Sequence, residues 1–379
     1  MNWSSMAAGV SFESEHRGLD PDRFDMHRIV SAKANLLELR LDKPVGGSGV
    51  AHVDVVIVDM NDEEGRTGLG FTYALGGGGN VVLECARTQL DKIVCGQQLA
   101  HPSALWEAVA TTFNRTGYGP NLVALAAIDL AAWDLYSKRL KVPLASALGG
   151  VPRPIPLYGS GGFTATQSAI EAAHAAEGYV KRGVHAVKPR VQGKISRDSE
   201  VLKAVRRTIG DSAAMMVDAN EKCDLVGAKQ LLLLACEHNV SFVEEPLPAQ
   251  ALPAYRALAA HAPVAIATGE HLQTVAEFLP YLCEGLAAVV QPDLAMMGGI
   301  TPIMKLCTLA EAFNIAVSPH FLPGLFVHAA AASRSIRQLE DFPLIEPLFE
   351  GWPACDAQGQ VMPGTECGHG LRLHRSRGQ

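Results

Sequence analysis

A chain of 379 residues is longer than one ordinary core requires and suits two domains, one of them a barrel of roughly 250 residues. Hydrophobic residues make up 48% and charged residues 19%, a globular composition that excludes extended disorder away from the ends. Lys plus Arg number 32 against 39 Asp plus Glu, a net charge of −7, and without a basic run to track a phosphate backbone the sequence excludes nucleic acid as a natural partner. The eight cysteines are scattered singly, without CxxC or metal-like spacing, and read as reduced thiols. Neither an apolar signal core nor a window of 18 apolar residues is found, so the cytoplasm is expected and a membrane is not.

In chain order, residues 1–25 are polar and read as a flexible N-terminus. From Ile29 the pattern is β: IVSAKANLLELRL, a glycine-containing loop, VDVVIVDM, a turn, and a third strand ending near Tyr73, which together form an antiparallel meander. Gly76 to Gly79 lack the Lys-Ser/Thr of a P-loop and the spacing of a dinucleotide turn, so they read as a turn or lid. Three helices follow (NVVLECARTQLDKIVCG, HPSALWEAVATTFNR and NLVALAAIDLAAWDLYSKRL), and this first domain spans 26–150. Asp129 and Asp134 in the last helix read as pairing groups rather than ligands.

Beyond residue 150 the texture changes to alternating strands and helices, expected to form an α/β barrel over 151–347, with 348–379 returning to the first domain. RPIPLYGS is its first strand and GVHAVKPR its second, where Lys188 and Arg190, two apart, face one side of the sheet. Then come six apolar runs ending in an acid or a histidine, at Asp218, Glu244, Glu270, Asp293, His320 and Glu346. Their near-even steps are one strand, loop and helix long. In a parallel barrel the strand ends share one face, so these side chains converge on one pocket.

Lys188, Asp218, Glu244, Glu270, Asp293, His320 and Glu346, in the strings VDAN, FVEEP, IATGE, QPDLAMMGGITP, SPHF and LIEP, make the chain resemble the mandelate racemase subgroup of the enolase superfamily, its acid-sugar dehydratases above all. The resemblance implies a modified (β/α)7β barrel with an N-terminal α+β capping domain, a homo-oligomer, and a small-molecule carboxylate as substrate. It implies that Asp218, Glu244 and Glu270 hold one Mg²⁺, a set of hard oxygen donors suited to that ion. It further implies His320 as general acid/base partnered by Asp293, and Glu346 as the acid that bonds the substrate carboxylate as it becomes an enediolate. Asn220 is placed near the ligands or substrate, and the loops around Val45 to His52 and Thr72 to Gly79, with Thr72 and Tyr73, are expected to set specificity.

One departure bears on the reaction. Where most of the subgroup has Lys-x-Lys, this chain has Lys188-Pro189-Arg190, and an arginine keeps its proton at physiological pH. The face opposite His320 then lacks an evident base unless Lys188 or Tyr158 serves. The expected reaction is Mg²⁺-dependent loss of water from an aldonate or aldarate, giving a 2-keto-3-deoxy acid. Racemisation or epimerisation at the α-carbon is the alternative enzyme, and a non-catalytic metal-binding scaffold the alternative of another class.

Overall fold

The computed structural model describes residues 27–46 and 48–374. The flexible N-terminus expected over residues 1–25 lies outside the described residues. Strands β1 (His27–Val45), β2 (Val50–Asp62) and β3 (Thr67–Leu75) form the meander, and β4 (Gln98–Leu99) adds to the free edge of β1. Strand β2 is apolar on both faces because it divides two cores. Val53, Val55 and Ile57 face the barrel side, while Val56, Val58 and Met60 pack toward the helices α1 (Gly79–Gln89), α2 (Pro102–Ala110) and α3 (Pro120–Arg139).

Close approach explains two glycines of β3. A Cβ at Gly68 would stand 2.2 Å from the Ala131 carbonyl oxygen, and one at Gly70 would stand 1.9 Å from that of Ala127. Alanines on α3 and glycines on β3 thus let helix and sheet backbones touch, which fixes the height of the sheet over the barrel. Asp134 serves this packing, accepting the Leu69 N–H at 2.8 Å, whereas Asp129 ties α3 to the barrel, accepting the Thr301 N–H at 2.9 Å.

Eight parallel strands follow: β5 (Ile155–Gly159), β6 (Ala186–Val187), β7 (Ala214–Asp218), β8 (Val240–Glu244), β9 (Ala265–Thr268), β10 (Val289–Val290), β11 (Ala316–Val317) and β12 (Leu339–Asp341). They neighbour one another in chain order, β12 pairs β5, and a bridge between Val317 and Ile336 joins β11 to the approach to β12. A helix or helix pair separates each strand from the next, which is the (β/α)7β barrel. Tyr158, Met216, Phe242 and Ala267 fill its interior.

The last strand differs from the sequence expectation. The run FPLIEP is not β: the strand ends at Asp341, and Glu346 opens a 3-10 turn over Glu346–Leu348. Pro343 and Pro347 have no N–H for a ladder, so the apolar run between them cannot be a central strand. Farther on, β13 (Phe349–Glu350) and β14 (Gln360–Val361) appear, β14 pairing β5 and β13 pairing β15 (Arg372–Leu373). His369 donates its N–H to Asp134 at 3.0 Å, so this stretch touches α3. No helix among the described residues is long and apolar enough to cross a membrane.

Candidate active site

Register sets the heights of the three candidate ligands. Asp218 and Glu244 are directly opposed across β7 and β8, and Glu244 is level with Ala267 on β9. Glu270 comes three residues after Ala267, beyond the strand, so it stands nearer the mouth, its side chain 11% exposed against 1% for Asp218 and Glu244. Arg190 Nη1 donates to Asp218, and Lys188 Nζ to Glu244 at 2.6 Å. Gln291 Nε2 also donates to Glu244, at 2.5 Å.

These residues fit a hard dication. Oε1 of Glu244 is buried without a hydrogen-bond partner. Burial drives the Glu244 carboxyl upward, Lys188 opposes, and Asp218, Glu340 and Glu270 add to the rise, so negative charge is crowded here beyond what the two cations offset. Among the described residues the trio that brings one donor atom each within 4.8 Å of the others is Glu221, Glu245 and His271, while Asp218, Glu244 and Glu270 are spread wider. His271 Nδ1 is already 2.9 Å from Glu245, so hydrogen bonding accounts for that trio.

The histidine stands between two acids. His320 Nδ1 is 2.7 Å from Asp293 Oδ2, and its Nε2 is 3.5 Å from Glu270. Asp293 caps the short helix Leu294–Met297, Oδ1 accepting the Met296 N–H at 2.9 Å, which fixes the carboxylate plane. Its Oδ2 also accepts the hydroxyl of Tyr73, from β3. Burial opposes charge on His320, but Glu270 and then the Asp293 hydrogen bond outweigh it and raise the imidazole to about 10.

Of the remaining expected residues, Asn220 is at the site, with a left-handed φ of 47° and its Oδ1 accepting Ser48 Oγ at 3.1 Å. Thr72 and Tyr73 part ways by alternation: Tyr73 faces the dyad, while Thr72, paired with Val56, lies in the packed cap interior. Tyr158 is fully buried inside the barrel, its hydroxyl 3.2 Å from Ser318 Oγ. Glu346 accepts the Leu344 N–H just ahead of its own turn. The acid that reaches the site from the last strand is Glu340, fully buried, 2.8 Å from Lys188 Nζ and accepting the Phe321 N–H at 3.0 Å. Sequence reasoning passed over Glu340 and Gln291. An even 26-residue step favoured Glu346, whereas the two prolines beside it were the available signal against a strand.

Two chambers open above this floor. One of about 100 Å³ is lined by Val45, Ser48, Val50, Arg190, Asn220 and Phe342, among others. The other, about 530 Å³, runs beneath α1 and the Gly77-Gly78 turn past Tyr73, Val81, Val82, Val123 and Met296. Leu75, Glu270, His271 and His320 line both.

Residues 40–149 match the family model of the mandelate racemase / muconate lactonizing enzyme N-terminal domain, and residues 171–377 that of the enolase C-terminal domain-like family. The chain is 28% identical over 359 residues to 3,6-anhydro-alpha-L-galactonate cycloisomerase of Streptomyces coelicolor, covering 94% of this chain and 97% of the relative. It is 30% identical over 339 residues to L-talarate/galactarate dehydratase of Salmonella typhimurium, covering 85% and 83%. The crystal structure of L-talarate dehydratase from Polaromonas sp. JS666, complexed with Mg and L-glucarate, superimposes with a TM-score of 0.87 at 29% identity, covering 93% of this chain and 96% of that one. Meander, barrel, strand-end residues and family matches agree: the chain belongs to the enolase superfamily, in its mandelate racemase subgroup.

Proposed function

We propose that the protein is a Mg²⁺-dependent hydro-lyase that removes water from a hydroxylated carboxylate of the acid-sugar type, giving a 2-keto-3-deoxy acid. Asp218, Glu244 and Glu270 would hold the ion. Bound there, Mg²⁺ supplies Lewis-acid stabilisation for negative charge developing on the substrate carboxylate. Acid-sugar dehydratases and cycloisomerases among the relatives, and a solved relative with Mg and glucarate, support this reading.

His320 carries the proton. Asp293 takes up Nδ1, which leaves Nε2 to accept the α-proton as the C–H electron pair becomes the C=C of an enediolate. The imidazolium then returns that proton to the β-hydroxyl as the C–O bond breaks. Water leaves, and the enol tautomerises to the 2-keto acid.

The observation that favours lyase over racemase is the one-sided supply of bases. Arg190 is bonded to Asp218, Lys188 is fully buried between Glu244 and Glu340, and Tyr158 is sealed within the barrel. A two-base racemase needs a second exchangeable group, and these three are committed elsewhere. Dehydration through His320 needs only one. Screening mono- and diacid sugars with Mg²⁺ for 2-keto-3-deoxy products tests this reading. At least one acid is expected to give product, and turnover confined to epimers would replace lyase with epimerase. Absence of any turnover would favour a metal-binding scaffold.

A further inference from the structure

The cap side of both chambers is mostly aliphatic: Val45 and Val50 beside Ser48 in the smaller, Leu75 in both, and Val81, Val82 and Val123 beside Tyr73 in the larger. Leu75 is 43% exposed and Val81 56% exposed, two large apolar groups facing open space in a concave site. Such surface is what an apolar ligand group covers.

Charge agrees with shape. Among the described residues, Arg190 is the only lysine or arginine lining either chamber; it lines the smaller one, where Nη1 is bonded to Asp218 and Nε has no partner, so the larger chamber holds no lysine or arginine. His271 is 2.9 Å from Glu245 and 3.6 Å from Glu221. A second carboxylate brought into the larger chamber would surrender hydration without meeting an unengaged Lys or Arg, and would stand near Glu270 and Asp293. A run of hydroxyls would fare poorly too, because each buried hydroxyl without a partner costs about 1–3 kcal/mol.

We infer that the end of the substrate remote from its reacting carboxylate is uncharged and largely apolar, so that the substrate is a 2,3-dihydroxy monocarboxylate, such as a deoxy or sparsely hydroxylated aldonate, and not an aldarate. The inference rests on the proposed function for where the reacting carboxylate sits, beside Asp218, Glu244 and Glu270. The remote end then extends past Leu75 toward Val81 and Val123.

Calorimetric binding to the Mg²⁺-loaded enzyme tests it with 2-hydroxybutanoate, 2-hydroxyhexanoate and 2-hydroxyadipate as probes. Affinity is expected to rise about fourfold for each methylene that enters the chamber. The adipate, with the hexanoate's carbon number but a second charge, is expected to bind roughly tenfold or more weakly than the hexanoate. Leu75→Arg should reverse that order, and Val81→Arg, at a more exposed position, gives the same reading if the first variant fails to fold. Tail length without effect, tighter binding of the diacid by the wild-type enzyme, or no binding by any probe would overturn the inference. Because binding is read rather than turnover, the expected affinity order without any 2-keto-3-deoxy product would reject the reaction and leave the specificity inference standing.

Discussion

Lys188 Nζ lies 2.8 Å from Glu340 and 2.6 Å from Glu244, so one fully buried ammonium ties the second barrel strand to the fourth and the last. Burial opposes charge on Glu340, but Lys188 and His320 outweigh it and hold the carboxyl down at about 2. Removing one partner of an isolated buried pair costs about 3–5 kcal/mol, but Lys188 keeps Glu244 when Glu340 is neutralised. Glu340→Gln is therefore expected to lose less stability than that in urea unfolding and to lose turnover. Glu346→Gln keeps an oxygen for the Leu344 N–H and is expected to change turnover less than about twofold. The reverse ranking would return the role to Glu346.

Asp218→Asn, Glu244→Gln and Glu270→Gln should each weaken Mg²⁺ binding and turnover together, and excess chelator should abolish activity. A spectroscopic consequence follows for His320. Burial lowers its pKa, and Glu270 is the first of the groups that override burial to hold it near 10. A dication at Glu270 offsets that charge, so Mg²⁺ should move the His320 pKa downward and make the basic imidazole available at lower pH. NMR titration of ¹⁵N-labelled histidine with and without Mg²⁺ measures this. An unmoved pKa would separate His320 from the metal site.

Tyr73 touches the dyad from the cap, its hydroxyl bonded to the same Asp293 oxygen that faces His320. Tyr73→Phe removes one hydrogen bond, a change of about 1.4 kcal/mol or tenfold. The expected result is a kcat about tenfold lower with a KM shifted much less, because a positioning contact is lost. A rise in KM at constant kcat would make Tyr73 a substrate contact instead.

His328, away from the dyad, should govern part of the acid stability. Burial, reinforced by His369, lowers its imidazole to about 4, and Nδ1 accepts the Ala145 N–H at 3.2 Å. Between pH 4 and the ordinary value near 6.5 the unfolded chain binds the proton and the folded one does not, so stability rises with pH across that window. The contribution is on the order of 3 kcal/mol. His328→Asn, which keeps an acceptor, should flatten that rise in denaturation curves taken from pH 4 to 7, and an unchanged slope would contradict the assignment.

The sequence made the fold legible because an apolar run followed by a polar strand end recurs at nearly constant spacing, and register then carries Asp218, Glu244, Asp293 and His320 to one face. Periodicity failed at the last strand, where two prolines break an apolar run that looks like its predecessors. Contacts made by distant segments were also beyond it. Tyr73 and Asp293 are 220 residues apart, and they meet because β3 packs on α3 through Gly68 and Gly70 while α3 is tied to the barrel through Asp129 and Thr301.

In the proposed reaction one base, on one face of the substrate, performs the chemistry. Turnover of an accepted acid sugar in D₂O, followed by NMR and mass spectrometry, tests it most directly. The wild-type enzyme is expected to form 2-keto-3-deoxy product without accumulating the α-deuterated epimer, Arg190→Lys to impair turnover, and His320→Asn to abolish it. Build-up of deuterated epimer, or turnover surviving in His320→Asn, would show a second working base on the Lys188 face.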